Sequence, residues 1–212
     1  MHPFEIKGPS GRLEAVISYP KDLKFSHITA LICHPHPLYQ GTMNNKVVTT
    51  IARSFNTLGI QALRFNYRGV GKSEGRYGEG TGELEDVLAV IDTVRRQQPA
   101  QKIILCGFSF GGAVAYKAAS KRDNILSLLT IAPAIVNFPV TDFPEPAIPW
   151  CLVQGLDDEI VDAKAVIQFA GIQNQSEVAM IKLNHVGHFF HGQLVKLKNE
   201  IIHYYQPRLS LW

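Results

Sequence analysis

The sequence predicts a single α/β domain over residues 1–212, with a mostly parallel central sheet flanked by helices. Three observations carry that expectation. Apolar runs rich in β-branched residues alternate with runs of helical period, the pattern of βα units around a parallel sheet. The 212 residues fit one such domain, and 46% hydrophobic against 18% charged residues supplies a sizeable core without approaching disordered or membrane-spanning composition. No repeat or low-complexity tract interrupts the alternation.

In chain order, the strand-like runs are 13–19 (LEAVISY), 28–33 (ITALIC), 61–66 (QALRFN), 102–106 (KIILC), 126–131 (LSLLTI), 150–153 (WCLV) and 178–183 (VAMIKL). Helical period is expected at 46–58, 83–97, 113–120, 163–170 and 193–205. The helix from Glu83 opens on acidic residues and closes on Arg95 and Arg96, which suits the helix dipole at both ends. Asp162, just ahead of AKAVIQFA, reads as a helix N-cap. Residues 132–149 carry five prolines around Phe138 and Phe143; this stiff segment is either a plain connection or a wall of a substrate pocket.

Charge and cysteine content exclude several classes. The net charge of +3 is spread along the chain without a basic run, which argues against nucleic acid or a membrane surface as partner. Cys33, Cys106 and Cys151 are odd in number, lie in apolar stretches and form no CxxC, so buried free thiols are expected in place of disulfides or a zinc site. The N-terminus lacks the basic and apolar regions of a secretion signal and no apolar run is long enough to span a bilayer, so a cytoplasmic location is expected. Gly71-Lys72-Ser73 lacks the glycine that a phosphate loop requires five residues before Gly71, where Asn66 stands.

The chemistry is concentrated at Gly107-Phe-Ser109-Phe-Gly111, between a buried strand and a helix-like run. A serine at a sharp strand-to-helix turn stands clear of the sheet, and the N–H that follows it, here Phe110, points at a developing oxyanion. Further segments follow in order: CHPHPL at 33–38 with GTMNNK at 41–46, RFNYRGVGKSEG at 64–75, QGLDDEIV at 154–161 and GHFF at 187–190. On these motifs, which cover nearly the whole chain, the sequence resembles an α/β-hydrolase, and specifically the small lidless hydrolases related to dienelactone hydrolases. Many relatives insert a helical lid after the sixth strand; here only the Pro-rich segment fills that place, so no cap domain is expected.

The resemblance implies a triad in the chain order Ser, Asp or Glu, His. The candidate acids are Asp157, Asp158 and Glu159, and the resemblance favours Asp158, with Asp157 a turn residue bonding nearby backbone. The candidate bases are His185, His188 and His191, and the family's position is matched by His188. The second oxyanion donor falls by similarity on the His36 backbone N–H, because Pro35 and Pro37 have none; His34 is expected to pack and hydrogen bond locally. The function implied is acyl transfer from a small carboxylic ester, thioester or lactone, with no cofactor and a small-molecule acyl substrate as partner. Two alternatives stand beside it: a metal-dependent hydrolase using His34, His36, His185, His188 and His191 as ligands, and a non-catalytic binding protein on the same fold.

Overall fold

The structure, a computed structural model, describes residues 2–212. Eight strands, β1 (His2–Gly8), β2 (Gly11–Ser18), β3 (Ile28–Cys33), β4 (Gln61–Phe65), β5 (Lys102–Phe108), β6 (Ile125–Ile131), β7 (Trp150–Gly155) and β8 (Val178–Leu183), form one sheet in the order β1-β2-β4-β3-β5-β6-β7-β8. The β1-β2 and β2-β4 pairings are antiparallel and all others parallel. The helices are α1 (Lys46–Thr57), α2 (Thr81–Gln97), α3 (Phe110–Ala119), α4 (Ala163–Gly171) and α5 (Leu194–Tyr205).

Both faces of the sheet are covered, so its central strands must be apolar on both sides. In β5, Ile103 and Leu105 enter a core shared with α2, α3 and α4, while Ile104, Cys106 and Phe108 enter a second core shared with α1 and α5. That two-sided burial makes 30–33 and 103–106 read as unbroken apolar runs. The edge strand β8 is only partly covered, and its alternation is correspondingly weak. Strand β1 was not expected from the sequence. Its polar residues and Pro3 sit at the antiparallel edge, where Ile6 alone is buried, so the apolar signal that marks a strand is nearly missing.

All parallel strands deliver their C-terminal ends to the same rim of the sheet. The loops after β3, β5, β7 and β8 therefore bring positions 34–36, 109, 158 and 188 to one rim. The segment 132–149 contains no helix or strand, so no helical cap interrupts that rim. No helix among the described residues is long and apolar enough to cross a membrane. Cys33, Cys106 and Cys151 are buried free thiols, and Asp162 caps α4 by accepting the Lys164 and Ala165 N–H groups.

Candidate active site

Ser109 joins β5 to α3 with φ 55° and ψ −121°, a conformation that side chains other than glycine adopt at a cost of about 1–3 kcal/mol. The surrounding backbone holds it there. Its N–H donates to the Ile131 carbonyl at 2.9 Å, and its own carbonyl accepts from Gly112 at 2.9 Å and Ala134 at 3.0 Å. The two flanking glycines are required for space. A Cβ on Gly107 would lie 2.1 Å from the Gly111 oxygen, and one on Gly111 would lie 2.4 Å from the carbonyl oxygens of Cys33 and His34. The helix begins immediately after the serine, three residues earlier than the sequence suggests, so the Phe110 N–H is among the first-turn amides that have no acceptor within the helix.

Three of the predicted site residues meet around this turn. His188 Nε2 lies 3.0 Å from Ser109 Oγ, and His188 Nδ1 lies 2.9 Å from Asp158 Oδ2. Because the carboxylate can only accept, the proton sits on Nδ1, and the bare Nε2 accepts the Ser109 hydroxyl. Ser109 and His188 are buried, and so is the whole of the Asp158 side chain. Burial pushes the Asp158 carboxyl up, but donation from His188 and from the Val161 and Ile160 main chain outweighs it and holds the group below the usual carboxylate range. The carboxylate receives four donors in all: Ile160 N–H at 3.0 Å and Val161 N–H at 2.8 Å on Oδ1, and Gln154 Nε2 at 3.2 Å beside His188 on Oδ2.

The turn role expected of Asp157 thus belongs to Asp158. Asp157 faces solvent, 3.5 Å from the exposed His185 ring, because adjacent side chains in this turn diverge and only the second is directed inward. His191 stacks on Phe189.

The loop after β3 bears His34 and His36. His34 is fully buried: its Nε2 accepts the Tyr67 N–H at 3.1 Å and its Nδ1 donates to the Pro35 carbonyl. Burial pulls its pKa down to about 4. His36 Nδ1 accepts the Leu38 N–H, which places its proton on Nε2 facing the Tyr77 oxygen at 3.0 Å. The His36 ring packs on Phe110, centroids 4.9 Å apart, and on Phe138, 5.3 Å apart. Phe138 in turn meets Phe110 edge-on at 4.7 Å. The β3 loop, the serine turn and the Pro-rich segment are therefore in contact, which favours the wall over the plain connection. His34 and His36 spend their ring nitrogens on these bonds, and His185 points away from His188's partners. Among the described residues no group of three His, Cys, Asp or Glu side chains converges as metal ligands would.

Sequence reasoning missed three contacts: Gln154 donating to Asp158, Phe108 stacking on the His188 ring at 5.1 Å, and the Glu159 carboxylate accepting the His188 N–H at 3.1 Å. Gln154 and Phe108 lie in the last residues of β7 and β5, beyond the strand runs 150–153 and 102–106 expected from the sequence.

The family described as serine aminopeptidase, S33, matches residues 43–144. An uncharacterized protein of Rickettsia prowazekii is 37% identical over 199 residues, spanning 90% of this chain and 82% of its own. Among solved structures, an α/β serine hydrolase without lid from Xanthomonas campestris is similar with a TM-score of 0.91 and 36% identity, over 97% of this chain and 94% of that one. An α/β serine hydrolase homologue from Coxiella burnetii gives 0.90 and 41%, over 96% of each chain.

Proposed function

Because the chain belongs to the lidless α/β serine hydrolases, we propose that it hydrolyses a small carboxylic ester, or a related thioester or lactone, by acyl transfer to Ser109. The observation that carries this reading is the unbroken hydrogen-bonded series from the Ser109 hydroxyl through both His188 nitrogens to the buried Asp158 carboxylate. His188 Nε2 takes the Ser109 proton as Oγ attacks the acyl carbon. Asp158 keeps the ring in the tautomer that can do so and stabilises the imidazolium that forms. The Phe110 and His36 main-chain N–H groups stabilise the oxyanion. Collapse of the tetrahedral adduct expels the alcohol or thiol with the proton from Nε2. Water then repeats the sequence on the acyl-enzyme, releasing the acid and regenerating Ser109.

The aminopeptidase description of the matching family favours a second substrate class, aminoacyl amides, which the same acyl-enzyme chemistry serves. A panel of short esters, thioesters, lactones and aminoacyl amides separates the two. Wild-type protein is expected to label with a fluorophosphonate and to turn over an activated ester at a rate unchanged by a chelator. Ser109→Ala is expected to lose labelling and at least about 10³-fold in rate while staying folded. Retained turnover in Ser109→Ala would sink the nucleophile assignment. Chelator-sensitive turnover without labelling would support a metal-dependent hydrolase, and absence of both labelling and turnover a binding protein.

A further inference from the structure

We infer that Glu159 is a positioning residue for the base, gripping the main chain of His188 while its neighbour Asp158 holds the ring; this rests on the triad proposed above. Glu159 Oε2 accepts the His188 N–H at 3.1 Å, and His188 Nδ1 reaches Asp158 at 2.9 Å. Two consecutive carboxylates thus fix one histidine at two points, its backbone and its imidazole. The loop they fix is not at rest by itself: His185 and Phe190, on either side of His188, both hold positive φ, 57° and 53°.

Two main-chain bonds tie this loop to the acid loop before His188, Leu156 N–H to Leu183 at 3.0 Å and Asp157 N–H to Val186 at 3.1 Å. Both run from the acid loop to the histidine loop and both end upstream of the base. The Glu159 bond runs the other way and falls on the residue that bears the base. Gly187 marks how close the two loops come there. A Cβ at that position would lie 2.7 Å from Glu159 Oε2, a distance that real contacts do not show, so the carboxylate would have to withdraw. Glu159 is exposed, and its carboxylate adds nothing to the core. What it fixes is the height of the imidazole over Ser109, a distance to which proton transfer is sensitive at the level of tenths of an ångström to one ångström.

The test is a double-mutant cycle of Glu159→Ala and Gly187→Ala, read as kcat and KM on an activated ester, with Glu159→Gln beside them. Glu159→Ala is expected to lose about tenfold in kcat, or 1.4 kcal/mol, and Gly187→Ala, which displaces only the flexible tip of the Glu159 carboxylate, a smaller factor, each with KM within about twofold. The double variant should be no worse than Glu159→Ala alone, because the methyl at position 187 acts through the Glu159 carboxylate. Glu159→Gln, whose amide oxygen can accept the same N–H, should recover most of the rate. A wild-type kcat in Glu159→Ala, additive losses in the double variant, or a Glu159→Gln as impaired as Glu159→Ala would each overturn the clamp. These outcomes are separate from failure of the triad itself, which would appear as full activity in Ser109→Ala or Asp158→Asn.

Discussion

Replacing Asp158 by asparagine should nearly abolish turnover while leaving the fold almost untouched. The carboxylate serves two sets of donors: Ile160 and Val161 on Oδ1, His188 and Gln154 on Oδ2. An asparagine can keep its oxygen on the two main-chain N–H groups, which turns its NH₂ toward His188. The imidazole must then accept at Nδ1 and carry its proton on Nε2, where it faces Ser109 Oγ and can no longer act as base. The equivalent tautomer change in a well-studied serine protease costs about 10⁴ in kcat, or about 5 kcal/mol of transition-state stabilisation. Stability should fall far less. Gln154 Nε2 loses its acceptor on residue 158 but keeps the Gly155 carbonyl at 3.0 Å, so the net loss should be about 1 kcal/mol. The assay pairs steady-state rates with urea unfolding, using Asp157→Asn as the control that keeps most activity. A rate above about a tenth of wild type in Asp158→Asn, or loss of activity only through unfolding, would refute the argument.

Two further outcomes follow from buried titratable groups. Burial lowers the His34 pKa to about 4 in the folded protein against the ordinary histidine value of 6.5. The unfolded chain therefore binds the extra proton between those values, so stability is complete above pH 6.5 and is lost as pH falls toward 4, by about 3 kcal/mol in total. Urea midpoints measured from pH 7.5 to 4.5 should decline, and a flat profile would contradict the assignment. Burial likewise raises the thiols of Cys33, to about 12, and of Cys106 and Cys151. A thiol reagent at neutral pH should modify none of the three until denaturant is added; rapid labelling of the native protein would show that one of them is reachable.

The parallel sheet was legible because burial on both faces writes itself into sequence as continuous apolar runs such as 30–33 and 103–106. Strand β1 was not, because an edge strand that buries only Ile6 leaves no such run. The start of α3 was misjudged for a related reason: Gly111 and Gly112 read as loop residues by propensity, yet tertiary approach to Cys33 and Pro133 demands them inside the first helical turn. The positions that meet around Ser109 could be ranked from motif order, whereas the contacts of Gln154 and Glu159 could not. Glu159 reaches a residue 29 positions away through loop geometry, and nothing in the local pattern separates that carboxylate from a solvated surface charge. The choice between Asp157 and Asp158 came from resemblance, since two adjacent aspartates in one turn differ only in the direction they face.

The contact of Gly111 with the carbonyls of Cys33 and His34 means that the serine turn rests directly on the main chain at the end of β3, with no side chain between them. The seat of the serine turn on the end of β3 is therefore set by backbone lying on backbone. That contact passes through neither apolar layer nor the aromatic wall of His36, Phe110 and Phe138. Even a single methyl at position 111 would push the serine turn off the strand end, so the placement of Ser109 depends on an atom that is missing.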